Sequence, residues 1–497
     1  MKKHNTVKVV LISLLVIVLL TWLFPAAYYQ GQYVEQGRVQ MGIFDLFSYP
    51  MTAIQYFGYV ALYVLVVGGF YGVLYKIGAY RKVLDAVANT FKKNGKLSIA
   101  IIMVVLALLT SFFGLQLALL AVVPFLVAVI LLMGYDKIVA ALTVVGSTMI
   151  GIAGSTYAYS NTSVITSTLG LHIDSNLLVK LLILVLGLAL LLFNTIKYIK
   201  TIEVNSAKKT TKKTTTKTTT KKSTTKKTDS KAATKTESVV KVDLSDYVPK
   251  ETKTKESIIP MIITLCLVFV VMVLSFVSWA DAFKNSAFTD ATNAVKDFKI
   301  FGFALFGKIL GNVKEFGSWT LTELAVLLIF ASLILMVIYK IKFSDGFEAF
   351  VKGAKKAIEP AVLIVLIYTC LVATTYHPFQ LVIYKAILGI TKGFNVVTSI
   401  ITGIFAGVFN VEPLYTFNSV IPYLGSIVKG TATYRMIAAL YPAVYGVTML
   451  VAPTSVVLMT VLSYLEVSYK EWFKNIWKLL VELFVLILVL FLILSLV

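Results

Sequence analysis

The chain has 497 residues, 58% hydrophobic and only 14% charged, with a formal net charge of +22. Several apolar stretches reach the roughly 20 residues that cross a bilayer core as helix, which excludes an ordinary soluble domain and indicates a polytopic protein partnered by lipid. Eleven of the lysines fall in one tract between residues 206 and 237 and many others flank apolar runs, where they face anionic headgroups, so the basic balance does not imply nucleic acid.

Lys2, Lys3 and His4 precede an apolar run from Val7 that reaches Phe24. This is read as a first transmembrane helix, with Trp22, Tyr28 and Tyr29 as an interfacial belt; a cleaved signal with Ala26-Ala27 at its end is the alternative. Residues 1–50 therefore hold that helix and an external loop. The first membrane repeat occupies 51–205. It opens with a span from Met51 to Tyr75, followed by basic residues from Lys76 to Lys96 that mark the cytoplasmic side, and by an amphipathic interfacial segment at Val83–Phe91. Residues 97–135 are too long for one span and are interrupted by Thr110-Ser-Phe-Phe-Gly-Leu-Gln116. Two half-length helices meeting there predict a re-entrant hairpin, and two ordinary spans with a turn at Gly114 are the alternative.

Residues 138–169 begin apolar and turn into Gly151-Ile-Ala-Gly154-Ser-Thr-Tyr-Ala-Tyr-Ser-Asn-Thr-Ser163. Glycines with a run of hydroxyl and amide side chains predict a broken helix whose freed backbone groups coordinate an ion or substrate. The competing reading is a glycine-rich helix with its hydroxyls bonded back to the preceding turn. Leu177–Ile196 completes the repeat. Residues 206–256 form a Lys/Thr-rich cytoplasmic linker too poor in apolar side chains to order itself.

Connecting helices fill 257–359: an outward span at Ile258–Trp279, a mixed-charge external stretch at Asp281–Ser318, a return at Leu321–Ile341 and an amphipathic piece at Phe343–Glu359. In 360–497 the order of the first repeat returns. A span at Ala361–Thr375 is followed by an amphipathic segment at Phe379–Ile390. A hairpin within 396–428 is interrupted at Phe409–Ser419, a broken helix within 436–465 at Ala452-Pro-Thr-Ser455, and a last span runs from Ile476 to Val497. The two copies start on opposite sides of the membrane. The predicted fold is an all-α polytopic membrane protein with an inverted-topology repeat, two re-entrant hairpins and two broken helices, its binding site near the midplane. The span count places the N-terminus and linker in the cytoplasm and the C-terminus outside.

Thr21-Trp-Leu-Phe-Pro-Ala-Ala27, Gly68-Gly-Phe-Tyr-Gly-Val-Leu-Tyr-Lys-Ile-Gly78, Pro453-Thr-Ser-Val-Val-Leu-Met-Thr-Val-Leu462 and Val467-Ser-Tyr-Lys-Glu-Trp472 resemble segments of the YfcC-type carriers. These belong with the anaerobic four-carbon dicarboxylate carriers of the ion transporter superfamily. The resemblance implies a scaffold domain, an elevator-type transport domain, a homodimer, and hairpin tips and broken helices that hold substrate and coupling ion. The chain departs from it in three places. Leu117–Ala121 is apolar where the resemblance implies acidic residues, no Asn-Pro pair stands near Ala158-Tyr159, and the second hairpin carries Glu412-Pro413 with Asn410 and Asn418 in place of a Pro-Ser-Gly-Ser-Gly pattern.

Thr110, Gln116, Asn410, Glu412 and Asn418 are the candidate substrate-binding residues. Glu412 stands out because a carboxylate in an apolar membrane stretch marks a pathway or a proton relay, an interfacial glutamate being its alternative. Ser160, Asn161, Thr162, Thr454 and Ser455 are the candidate coupling-ion ligands, since neutral oxygens suit a hard cation such as sodium. Arg435 could meet an anion or snorkel to the interface. Cys266 and Cys370 both lie in apolar stretches and there are three histidines, so neither a disulfide framework nor a metal centre beyond a sodium ion is expected. No His-Glu-x-x-His or comparable catalytic set occurs, so the chain does not read as an enzyme. The expected activity is ion-coupled symport or exchange of a small charged metabolite. The acidic hairpin residue favours an amino acid; a dicarboxylate carrier, or a non-transporting scaffold or sensor with the same fold, are the alternatives.

Overall fold

The computed structural model describes residues 5–217, 243–251, 255–391, 393–428 and 430–496. Among them eight helices are long and apolar enough to cross a membrane by length and composition. Helix α1 (Asn5–Leu23) leads into a two-stranded hairpin, β1 (Ala27–Tyr29) antiparallel to β2 (Tyr33–Glu35). This small sheet is an addition to the predicted all-helical fold. Tyr28, Tyr29, Tyr33 and Val34 are good strand formers, and between them Gly31 has a positive φ, the chemistry of a strand pair and its turn.

Helix α2 (Ile43–Lys76) starts eight residues before the predicted span, carrying Pro50 in its first turns. A carboxylate at Asp45 accepts the Gly42 N–H at 2.7 Å and fixes that start. Amphipathic α3 (Gly78–Lys92) follows. The first hairpin comprises α4 (Gly95–Phe113), a short 3₁₀ turn at Ala118–Ala121 and α5 (Val123–Leu132). Its arms are unequal: α4 has 19 residues and is long enough to span, so only α5, with 10, is the half-length helix expected of both. The polar interruption ends α4 later than symmetry would, because Gly114 at φ 70° supplies a left-handed cap.

The first broken helix is built from α6 (Lys137–Ala141), a π turn at Leu142–Gly146, α7 (Ser147–Ala153), a non-helical stretch at 154–158 and α8 (Tyr159–Thr168). Helix α9 (Leu177–Lys217) runs well past the predicted end at Ile196 and into the Lys/Thr tract. Once a long apolar helix is nucleated, adding residues costs little, and lysine propagates it well. The loose character expected of residues 218–242 falls outside the described residues. Residues 243–250, also assigned to the linker, are docked against the helices.

Helix α10 (Ile259–Phe276) is followed by three short helices, α11 (Trp279–Phe283), α12 (Ala287–Asp297) and α13 (Leu305–Leu310), then α14 (Leu321–Ile338) and amphipathic α15 (Phe343–Lys356). The second repeat consists of α16 (Ile358–Tyr376), α17 (Gln380–Leu388), a hairpin of α18 (Val396–Phe409) and α19 (Glu412–Ile427), a broken helix of α20 (Thr431–Thr448) and α21 (Val456–Tyr464), and α22 (Tyr469–Leu494).

The packing obeys the repeat. Helix α3 lies on α5 as α17 lies on α19, α4 on α7 as α18 on α20, and α7 on α9 as α20 on α22. Equivalent elements also meet across the pseudo-axis: α2 with α16, α7 with α20, α9 with α22. The helices fall into two bodies: one gathers α14, α15 and α16 around α2, the other gathers both hairpins, both broken helices, α9 and α22, and the two meet where α16 lies on α21. Within the first body α15 is pressed onto α2 where Gly68, Gly72 and Gly353 bring the two backbones together, the small-residue packing that drives helix association in lipid. In the second body the broken helices cross at Gly446, where an added Cβ would stand 2.4 Å from the Ala153 nitrogen.

Candidate functional site

The first break is held by the first hairpin. Ser111, on the last turn of α4, donates its hydroxyl to the Gly154 carbonyl at 2.6 Å, and its own carbonyl accepts the Thr156 and Ala158 N–H groups at 2.9 and 3.2 Å. The non-helical stretch thereby satisfies backbone groups that breaking the helix has freed, as a low-dielectric setting requires. At the hairpin turn, Gly114 leaves space for Ser160: a Cβ there would lie 2.1 Å from the Ser160 hydroxyl. Two residues on, the Gln116 amide donates to Asn161 Oδ1 at 2.7 Å, and Asn161 Nδ2 donates to the Ser155 hydroxyl at 3.2 Å. The remaining Gln116 oxygen is buried without a partner among the described residues. Facing α2 of the other body, the hairpin tip is fastened by Tyr63 and Tyr71, whose hydroxyls donate to the Ala118 and Ala121 carbonyls at 2.7 and 2.8 Å.

The second half repeats the device with the polarity exchanged. Here the break supplies the hydroxyl: Thr454 donates to the Val408 and Gly407 carbonyls at the end of α18, at 2.9 and 3.2 Å. Ser455 caps α21 by accepting the Leu458 N–H. Asn410 is buried and donates to the Ala406 carbonyl at 3.0 Å and to Ser419 Oγ at 3.2 Å, while Tyr384 and Ser419 share a hydrogen bond at 3.1 Å. Glu412 opens α19 at a left-handed φ of 61°. Its carboxylate accepts from the Tyr368 hydroxyl of α16 in the opposite body. Tyr368 is itself stacked on Phe57 of α2, ring centroids 4.5 Å apart.

Gln116 and Leu117 of the first tip, Glu412 and Pro413 of the second, and Ser455, Val456 and Val457 at the start of α21 line one small, half-open space of about 20 Å³, together with Met149, Ile152, Tyr445 and Met449. The predicted residues thus divide. Gln116, Glu412 and Ser455 share this space, and Asn161 touches it through Gln116. Thr110 bonds back to the Leu106 carbonyl at 3.0 Å, and Thr162 to Ala158 at 3.1 Å, each inside its own helix. Asn410 belongs to a separate polar cluster with Tyr384 and Ser419. Asn418 and Ser160 are exposed. The five candidate ion ligands lie in two groups, 160–162 at the first break and 454–455 at the second. Arg435 offers its backbone carbonyl to the Asn176 amide at 3.2 Å.

The family model described as DcuC, C4-dicarboxylate anaerobic carrier, matches residues 4–496. The chain belongs to the C4-dicarboxylate anaerobic carrier family. It is a membrane transporter, and the family fits the dicarboxylate alternative better than the amino acid that Glu412 suggested. The solved YdaH transporter of Alcanivorax borkumensis, described as having an unusual topology, aligns over 98% of each chain at 12% identity with a TM-score of 0.41. No curated protein matches the chain.

For this C4-dicarboxylate anaerobic carrier family member, three side chains at the site were not singled out in the sequence. Ser111 stands in the polar interruption beside Thr110, and only the packing reveals which of the two faces the break. Tyr368 is one tyrosine in an apolar helix, indistinguishable by pattern from a core residue. Ser419 takes the inward place assigned to Asn418, since adjacent helical residues point about 100° apart.

Proposed function

We propose that this chain carries a C4 dicarboxylate across the membrane together with a cation, and that Glu412 takes part in the coupling. The observation that carries this reading is the convergence of Gln116, Glu412 and the first residues of α21 on one small space of about 20 Å³, which must widen to admit a carboxylate. The first residues of α19 and α21 both line it, and each helix turns toward it the positive end of its dipole, worth about half an elementary charge. That favours an anionic carboxylate. Gln116, with an unused buried oxygen, and Ser455 add neutral polar contacts. Glu412 opposes a dianion as long as it is charged, so a proton on its carboxylate, or a cation beside it, must accompany the substrate. Symport follows from this electrostatic requirement.

A sodium ion would be held by one of the two oxygen groups, 160–162 or 454–455, with break carbonyls completing the shell. Tyr368 positions Glu412 from the opposite body, so substrate binding and the relation between the bodies are linked there. We assign the body containing the hairpins to the moving role in an elevator-type cycle, the α2 body to the scaffold, and the basic ends of α2 and α15 to the cytoplasmic face by the positive-inside rule, which puts the N-terminus inside and the C-terminus outside. A homodimer is the assembly we expect.

Ligand-dependent thermal stabilisation of the purified protein tests the site. Succinate is expected to raise the unfolding midpoint of the wild type more at mildly acidic than at alkaline pH, and Glu412→Gln is expected to keep the stabilisation while losing its pH dependence. Stabilisation by basic amino acids and not by succinate would reverse the assignment.

A further inference from the structure

Residues 243–250 read as the end of a loose linker, yet Tyr247 and Val248 are each 3% exposed. The main chain of this segment is held from the α2 side. The Tyr75 hydroxyl donates to the Tyr247 carbonyl at 2.7 Å and the Arg81 guanidinium to the Pro249 carbonyl at 2.8 Å. A little further along, the Glu256 carboxylate accepts the Ala79 N–H at 2.8 Å, at the start of α3. The hairpin body is met by the turn at Leu244–Asp246, which lies against α5, and by the Tyr247 side chain. Lys137, at the start of α6, donates to the Tyr247 hydroxyl at 2.8 Å and stands 4.8 Å from its ring centroid. The Tyr247 hydroxyl also donates to the Tyr464 carbonyl at 3.4 Å, at the end of α21, and the two rings meet edge-on at 5.6 Å. One tyrosine therefore touches the same-face ends of both broken helices while its backbone stays with the other body.

We propose that residues 243–250 are a strap that pins the two bodies together on the basic face, and that Tyr247 must leave Lys137 and Tyr464 before the hairpin body can shift. This rests on the two-body reading above. Hydrogen bonds do not survive beyond about 3.5 Å, so displacement of a few ångströms between the bodies breaks one set of contacts. The set that yields is the one made by the Tyr247 side chain, against the bonds that Tyr75 of α2 and Lys356 of α15 make to the main chain of the segment. The strap also walls a cavity of about 470 Å³ between the bodies, to which Ser245, Asp246, Pro249 and Lys250 contribute on one side and Val461 and Tyr464 on another. That cavity is already half open, and release of the strap widens its mouth.

A readout independent of substrate tests this. Thr460 lines the cavity, is 5% exposed and has an unpartnered hydroxyl among the described residues, so Thr460→Cys places a probe thiol at little cost. The full chain, with exposed Cys266 replaced by serine, is reconstituted and treated with a membrane-impermeant maleimide. Tyr247→Ala removes the bonds to both Lys137 and Tyr464 and is expected to speed labelling by more than about fivefold, the population shift that loss of one hydrogen bond gives. Lys137→Gln removes the shorter of those bonds from the opposite body and leaves the strap intact, so it is expected to speed labelling about fivefold, with the double variant no faster than Tyr247→Ala. Unchanged labelling in both, or a rise in Tyr247→Ala alone, overturns the strap. Succinate uptake by the same samples reports separately on the transport reading.

Discussion

Gly446→Ala is the substitution that probes the crossing of the two broken helices most sharply. An ideal Cβ at Gly446 would lie 2.4 Å from the Ala153 nitrogen, 2.5 Å from the Met149 carbonyl oxygen and 2.7 Å from Ala153 Cα. Carbon contacts in packed interiors settle near 3.5–4.0 Å, so the helices must part by about 1 Å. The obstructing atoms are backbone, which no rotamer change relieves, so the cost belongs at the upper end of the roughly 1–3 kcal/mol seen for overpacked cores. The disturbance falls one residue before Gly154, where Ser111 holds the break, so transport should suffer with stability. Thermal unfolding of purified protein, followed by intrinsic fluorescence, measures the effect. Gly37→Ala is the control, because no atom lies within 4 Å of the Cβ it would add. We expect Gly446→Ala to melt several degrees below the wild type and Gly37→Ala to match it. Equal midpoints for the two variants would refute the close crossing.

Two further predictions concern coupling and the linker. Asn161→Ala and Thr454→Ala are each expected to weaken dependence of uptake on the coupling ion while expression is retained, and unchanged ion dependence in both removes these residues from coupling. Deleting residues 221–232 from the Lys/Thr tract is expected to leave uptake intact, since the docked segment after it is preserved; complete loss of uptake would assign the tract a further role.

Much of the architecture was legible because membrane helices announce themselves by apolar length, and interruptions by polar residues that lipid will not accept. The stretch Gly154–Ala158 and the break before Val456 are visible in sequence for that reason. Glu412 is visible as a lone carboxylate in an apolar run. Other parts were hidden by context. Tyr247 sits beside a Lys/Thr tract whose composition signals disorder, and its burial depends on a pocket assembled from α2, α6 and α21. The long arm α4 was masked because apolar content gives no sign of where a helix meets its turn; Gly114 alone marks it. Ser111 and Thr110 differ by one position, and only the partner helix decides which hydroxyl caps the break. The small β1–β2 pair was missed because three tyrosines, Tyr28, Tyr29 and Tyr33, beside a membrane helix look like an interfacial belt.

The central claim is that a C4 dicarboxylate moves with a cation through the space between the hairpin tips, with Glu412 as a coupling group. The direct test is uptake of labelled succinate by purified protein in liposomes under separately imposed proton and sodium gradients, alongside labelled basic amino acids and the Glu412→Gln variant. The account predicts gradient-driven succinate accumulation in the wild type, loss of its gradient dependence in Glu412→Gln, and no accumulation of the amino acids. Accumulation of a basic amino acid without succinate, or succinate accumulation that Glu412→Gln leaves fully gradient-dependent, would contradict it.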